Sequence, residues 1–249
     1  MSIQYILIII SLLASFNLWA KELKLCGVEW PPFTYGENNR LVKGISIDVY
    51  KEAFPRMEMK FTADQLPWAR CLKDVEDGYY DAVIDNANLP PYIVADTPTS
   101  VYPLGIYVRN DFPQDKFSWD SITGKSVAMV TAYDYTKKIA AFTGWKRVDF
   151  ASDEKVLQAL QLKRYNYALI DVFSAPILSK KVGIEIKLLK PVVDSTNLYL
   201  AFSPKNSHLV KQFDEAIKVM IKEGIMDIIY RKYISMSYSE VLKLSQEAQ

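Results

Sequence analysis

The sequence is poor in the residues that build metal and nucleophile sites: one histidine and two cysteines in 249 residues. One histidine with two distant cysteines makes neither a zinc cluster nor a Ser/His/Asp set. His208 lies in a polar loop, residues 203–208, ahead of a helical pattern, which suits a surface or capping role rather than catalysis. Charge bias is also missing. Thirty basic and 29 acidic residues are spread along the chain for a net charge of +1, so no basic face for a nucleic-acid partner is expected. There is no low-complexity segment. Beyond the first twenty residues no apolar run approaches the roughly 20 residues that a membrane-spanning helix needs, which argues against the outer domain of a transmembrane receptor.

What is present begins with an uncharged leader. Met1 to Ala20 carry no charged side chain, and the apolar core from Ile6 to about Phe16 is too short to span a bilayer. A short apolar run ending in Trp19-Ala20 before Lys21 reads as a secretory signal peptide over residues 1–20. The alternative is an uncleaved anchor, since no Lys or Arg precedes the run and Leu18 stands where a small residue is preferred. A lipoprotein fits less well, because Cys26 lies six residues past the expected cut. The chain is expected to act in the periplasm, and its length suits one large domain or two small lobes.

Behind the leader, short apolar runs alternate with helical patterns. Residues 23–28 read as a strand, 45–54 as a helix, 57–62 as a strand, 69–76 as a helix ending near Gly78, and 82–84 as a short strand. This alternation implies a mostly parallel sheet with helices on its faces. The pattern then restarts: a linker or turn over 118–125, a strand over 127–130, a helix over 135–142, a strand near 147–150, a helix over 153–163 capped by Ser152 or Asp153, and a strand over 167–170. Segments 105–109 and 198–202 flank this second unit as the two strands that cross between lobes. Residues 209–233 read as an amphipathic helix pair broken at Gly224.

Four stretches carry a resemblance. They are Trp30-Pro31-Pro32-Phe33 followed by Leu41-Val42-Lys43-Gly44-Ile45-Ser46-Ile47-Asp48; GYYDAVI at 78–84; YNYALID at 165–171; and KEGIMDIIYRKYI at 222–234. In this order and spacing they resemble bacterial periplasmic solute-binding proteins of family 3, the type that serves polar amino-acid ABC transporters. The resemblance implies a type II periplasmic-binding-protein-like fold, two α/β lobes joined by a two-strand hinge. Lobe 1 would comprise residues 21–104 and 199–249, and lobe 2 residues 105–198. Ligands in open α/β sheets sit beyond the carboxyl ends of strands, near helix N-termini.

The site is carried over residue by residue. Trp30, with Phe33 beside it at the tip of the first strand, falls where the family stacks an aromatic on its ligand; Trp68 falls at a second apolar contact. Asp85, Asn86 and Asn88 follow the third strand, where the family presents small hydroxyls and amides to a ligand carboxylate. The family's carboxylate-clamping arginine has no counterpart, because no Arg or Lys occurs between Lys73 and Arg109. Arg70, in the first turn of the helix after Pro67, is the substitute, or else an ordinary surface arginine. Thr131-Ala132-Tyr133-Asp134-Tyr135 replaces an anion-binding turn; Asp134 would either contact the ligand or serve only as the helix cap, and Tyr133 would point into the cleft. Asp171 ends a strand where the family places an acid against a ligand ammonium. Cys26 and Cys71 lie on elements that neighbour each other in such a fold, so they either form a disulfide or remain two buried thiols.

Three acids against one arginine imply a solute bearing an amine or several hydroxyls. The resemblance implies hinge closure on a small-molecule ligand by a monomer that a membrane permease reads, with no cofactor and no metal. Two other classes stand beside it. A cyclohexadienyl dehydratase-like enzyme would need cations for its substrate's carboxylates, which this cleft lacks. A solute-sensing module for a membrane receptor would use the same closed form.

Overall fold

The structure, a computed structural model, describes residues 22 to 248 apart from 132 and 134. The signal peptide expected over residues 1–20 and the ligand-binding or capping role expected of Asp134 lie outside the described residues.

Strand β1 (Glu22–Gly27) buries Leu23, Leu25 and Cys26 completely. A hairpin follows, β2 (Tyr35–Glu37) and β3 (Arg40–Lys43), turned by Asn38 and Asn39 at φ of 51° and 61°, the positive-φ pair that favours asparagine. Helix α1 (Ile45–Arg56) presents Val49, Tyr50, Ala53 and Phe54 to the core. It leads to β4 (Lys60–Gln65), α2 (Trp68–Glu76) and β5 (Ala82–Asn86). Strands β4 and β5 both pair parallel to β1.

The chain then crosses on β6 (Ser100–Arg109) and builds α3 (Trp119–Ile122), β7 (Ser126–Val130), α4 (Lys137–Ala141), β8 (Lys146–Phe150), α5 (Asp153–Gln161), β9 (Tyr167–Asp171) and α6 (Ala175–Val182). It returns on β10 (Ile186–Phe202), and α7 (Ser207–Lys222), α8 (Ile225–Tyr233) and α9 (Tyr238–Ala248) close the described chain. The strand order is β2-β3-β4-β1-β5-β10-β6-β9-β7-β8. Strands β8 and β9 pair parallel to β7, while β10 runs antiparallel to both β5 and β6. Two α/β lobes are thus joined by the long central strands β6 and β10, whose register runs from Ile186↔Arg109 to Leu198↔Ser100 with a shift between Leu189 and Asp194.

Each lobe has its own core. Leu23, Phe54, Phe202, Phe213 and Tyr230 belong to one, into which α7 and α8 return. Helices α5 and α6 cover one face of the β7–β9 sheet, and an aromatic group of Trp119, Phe142 and Trp145 covers the other.

Several bounds differ from the sequence reading. Strand β4 starts at Lys60 rather than 57, because Met57 and Met59 turn into the core around Glu58 at φ 56°. Residues 118–125 contain the one-turn helix α3, held by a reciprocal Ser118/Ser121 capping box. The crossing strand expected at 198–202 begins at Ile186. The hairpin β2–β3 and the helices α6 and α9 have no counterpart in that reading. The hairpin strands are too short for a period-2 signal, and Pro176 masks the start of α6.

Candidate functional site

The carboxyl ends of β1, β5, β7 and β8 open onto one cavity of about 320 Å³ between the lobes. One lobe contributes Val28, Glu29 and Trp30 behind β1, Trp68 and Ala69 at the head of α2, and Asp85, Asn86 and Ala87 from the end of β5. The hinge strands supply Tyr102 and Leu198. The other lobe supplies Val130, Thr131 and Tyr133 behind β7 and Ala151 behind β8.

The turn after β1 is tied before it presents Trp30. The Thr34 hydroxyl accepts from the Trp30 amide at 2.9 Å and donates to the Val28 carbonyl at 2.7 Å. The Trp30 indole stacks on Phe33 with centroids 4.4 Å apart and meets Tyr102 edge-on at 5.4 Å. Trp30 therefore lines the cavity while its other face is packed. Phe33 does not line it; the ring is fully buried in the lobe core and serves as the platform under Trp30. Trp68 also lines the cavity, from the first position of α2.

Arg70 does not face the cavity. Its side chain is 69% exposed and reaches forward along α2 to Asp74, Nε to Oδ2 3.3 Å. The i, i+4 spacing on the helix surface gives it that partner. Asn88 is exposed and lies outside the wall.

Asp85 lies at the end of β5 with backbone φ of 55°, a left-handed conformation uncommon for a non-glycine residue and typical of functional sites. Its carboxylate accepts from Ser46 Oγ at 2.9 and 2.7 Å and from Ser100 Oγ at 2.7 Å. Desolvation nevertheless pushes its pKa up to about 6. Beside it, Asn86 is 2% exposed, and its Nδ2 has no partner among the described residues. A buried donor at a cavity wall asks for an acceptor on whatever fills the cavity.

On the far wall the Tyr133 hydroxyl donates to Asp153 Oδ2 at 2.9 Å. Burial and the neighbouring Asp153 carboxylate hold the Tyr133 phenol far above its usual range, and burial raises Asp153 to about 6. Asp171 is buried behind this wall rather than in it. One oxygen accepts the amides of Phe173 at 2.9 Å and Ser174 at 2.6 Å, while Oδ2 has no partner among the described residues. Desolvation, with a contribution from Asp153, lifts its pKa to about 7.

Cys26 and Cys71 form a disulfide with Cα atoms 5.7 Å apart, both ends fully buried, which pins α2 and its Trp68 to β1. Sequence reasoning missed Glu29, Tyr102, and Asp153 as a wall partner. Glu29 adjoins Trp30 and was within reach of the argument; Asp153 carried only a capping signal; Tyr102 is one tyrosine of 16 and had none. Among the described residues no group of three or more His, Cys, Asp or Glu could hold a metal ion, and no helix is long and apolar enough to cross a membrane.

Comparison with solved structures places this architecture. A mutant of ArgBP from T. maritima superposes with a TM-score of 0.71 at 19% identity, covering 86% of this chain and 95% of that one. A structure from work on glutathione import through GshT and the cystine ABC importer TcyBC of Streptococcus mutans gives 0.73 at 21% identity, covering 88% and 97%. A histidine kinase sensor domain with similarity to periplasmic binding proteins gives 0.76 at 15% identity, covering 88% and 98%. At these identities the likeness establishes the type II periplasmic-binding-protein-like fold. Comparison with curated proteins finds no match. The sequence itself matches the bacterial extracellular solute-binding proteins, family 3, over residues 25–236, and the chain belongs to that family.

Proposed function

We propose that this chain captures a small polar solute, amino-acid-like or bearing amine or hydroxyl groups, in the cavity between its lobes, and does so for an ABC-type uptake system from the periplasm. The observation that carries the reading is the cavity itself. It joins the carboxyl ends of strands from both lobes, where α/β sheets bind ligands. Solute would first wet one lobe and contacts from the other would then favour the closed form. Residues 21–104 with 199–249 would move against 105–198, the bending falling in β6 and β10. The monomeric closed form would be read by a membrane permease, a reading supported by the likeness to the structure from work on an ABC importer of Streptococcus mutans.

Trp30, Trp68 and Tyr133 supply flat surfaces, and Asp85 and Asn86 supply polar contacts. Binding rather than catalysis is favoured because no cation lines the described wall to orient an anionic substrate. The fold shared with a histidine kinase sensor domain supports solute sensing as the second reading, in which a receptor takes the permease's place. A thermal-shift screen of the exported chain against amino acids, amines, sugars and cyclic acids tests the reading. A ligand at 100 times its Kd adds about 2.7 kcal/mol; no shift across the whole panel overturns it.

A further inference from the structure

The charged residues in the described cavity wall, Glu29 and Asp85, are of one sign. Asp153 lies directly behind Tyr133, and Asp171 is close enough to act on both Tyr102 and Tyr133. None of Asp85, Asp153 and Asp171 is in an ion pair among the described residues; their partners are hydroxyls and amides. The nearby cations are committed elsewhere. Arg70 pairs with Asp74, Arg147 with Asp149, and Lys181 with Glu154, although Lys181 also feels the Glu29 carboxylate. The two undescribed residues of the 131–135 turn, Ala132 and Asp134, bring no positive charge.

The helix ends on the far side are equally closed to an anion. Thr136 accepts the Ile139 amide at the start of α4, and Ser152 accepts the Lys155 amide at the start of α5, where Asp153 and Glu154 already neutralise the positive end of the helix dipole. The remaining surface is aromatic: Trp30 and Trp68 from one lobe, Tyr102 from the hinge, Tyr133 from the other. Aromatic faces attract cations, most strongly when water is excluded, and a buried, unpaired carboxylate gains far more from a cation than from a neutral group.

The geometry points to an organic ammonium ion without a free carboxylate as the ligand: an amine held by the aromatic faces of Trp30, Trp68 and Tyr133 against the carboxylates of Glu29 and Asp85. This deepens the solute-binding reading and rests on it. An α-carboxylate would meet the Glu29 and Asp85 carboxylates in the described wall with no guanidinium there to hold it. The unpartnered Asn86 Nδ2 suits a hydroxyl or ether oxygen on the same molecule.

The test uses pairs that differ only by that carboxylate: tyramine against tyrosine, agmatine against arginine, and cadaverine against lysine. Calorimetric titration of the purified exported chain at neutral pH and low salt is expected to give one amine binding about tenfold or more tighter than its parent amino acid, where each tenfold is 1.4 kcal/mol. Glu29→Gln, a wall substitution outside the core, is expected to weaken the amine severalfold without weakening a neutral analogue. If a parent amino acid binds as tightly as its amine and Arg70→Ala abolishes that binding, then Arg70 swings inward and the proposal is overturned while solute binding stands. If no amine binds but a sugar or neutral amino acid does, the proposal likewise falls alone. If nothing in the broader thermal-shift panel binds, both fall.

Discussion

The Ser174 hydroxyl donates to the Pro31 carbonyl at 2.8 Å, joining the turn after β9 to the turn after β1. The neighbouring Phe173 ring enters the core of the first lobe, 6.1 Å edge-on from Phe33. Asp171, accepting both the Phe173 and Ser174 amides, shapes this contact. The acid that resemblance would place against a ligand thus lies buried next to a contact between the two lobes.

Separating the two contributions is direct. Ser174→Ala is expected to cost about 0.5–1.5 kcal/mol, the net worth of one hydrogen bond. Phe173→Ala, which empties an aromatic site in the core, should cost about 3–5 kcal/mol. Urea unfolding of both variants checks the order; equal losses would remove the ring from the account.

The acids make stability depend on pH in an unusual direction. Burial raises Asp85 and Asp153 to about 6 and Asp171 to about 7, from an ordinary value of 3.8. Between those limits the folded chain holds protons that the unfolded chain has released, so these groups make stability rise as pH falls from about 7 toward 4. Asp48, its pKa lowered by Lys232 and Tyr233 against a desolvation that opposes them, and Asp214, lowered by Lys218 and Thr97, work the other way below that window. The groups facing the three raised acids are Ser46, Ser100 and Tyr50 around Asp85, and tyrosines 102, 107, 133 and 135 around the other two. A urea midpoint higher at pH 5 than at pH 7.5, with the difference reduced in Asp171→Asn, is the expected result.

Trp68→Ala and Trp30→Ala should differ in kind. Trp68 stands half-buried at the head of α2 at the edge of the Cys26–Cys71 cluster, so its loss is expected to weaken ligand by about fivefold, on the order of 1 kcal/mol for an aromatic contact, with a smaller change in Tm than the loss of Trp30. Trp30 also packs against Phe33 and Tyr102, so its removal should lower both affinity and Tm. Paired thermal-shift and titration measurements distinguish them.

Gly44 precedes α1 at φ +119°, and a Cβ there would lie 2.2 Å from the Phe33 carbonyl oxygen. The same turn lets Ser46 donate its amide to that oxygen and its hydroxyl to Asp85. Gly44→Ala is expected to cost about 1–3 kcal/mol and to disturb Asp85. A normal midpoint in urea would show that the turn yields more easily than its contacts imply.

Removing the disulfide through Cys26→Ala with Cys71→Ala should cost about 2–4 kcal/mol, because the paired cysteines are 45 positions apart in sequence and the cross-link restricts the unfolded chain. Alkylation of the exported chain without reductant, read by intact mass, should label neither cysteine.

Local chemistry made much of the fold legible. The runs in β1, β5, β7 and β9 are buried almost throughout and flanked by turns, and Gly224 at φ 75° divides α7 from α8 as its position implies. The hairpin β2–β3 was hidden because three- and four-residue strands carry too little periodicity. In the site, Trp30, Trp68, Asp85, Asn86 and Tyr133 were named from motif position and do line one cavity. Phe33, Arg70, Asn88 and Asp171 were named on the same grounds and line none of it.

The sequence by itself determined the alternation of strands and helices, the family, and the shortage of cations between Lys73 and Arg109, since each is a property of neighbours along the chain. Only the tertiary structure decided which way each side chain faces. Phe33 turned inward because its ring fits the lobe core under Trp30; Arg70 turned outward because Asp74 lies one helical turn away. Glu29, Asp85, Asp153 and Asp171 come from four separate segments. Their gathering around one cavity follows from the crossing of β6 and β10, a long-range pairing that no local pattern encodes.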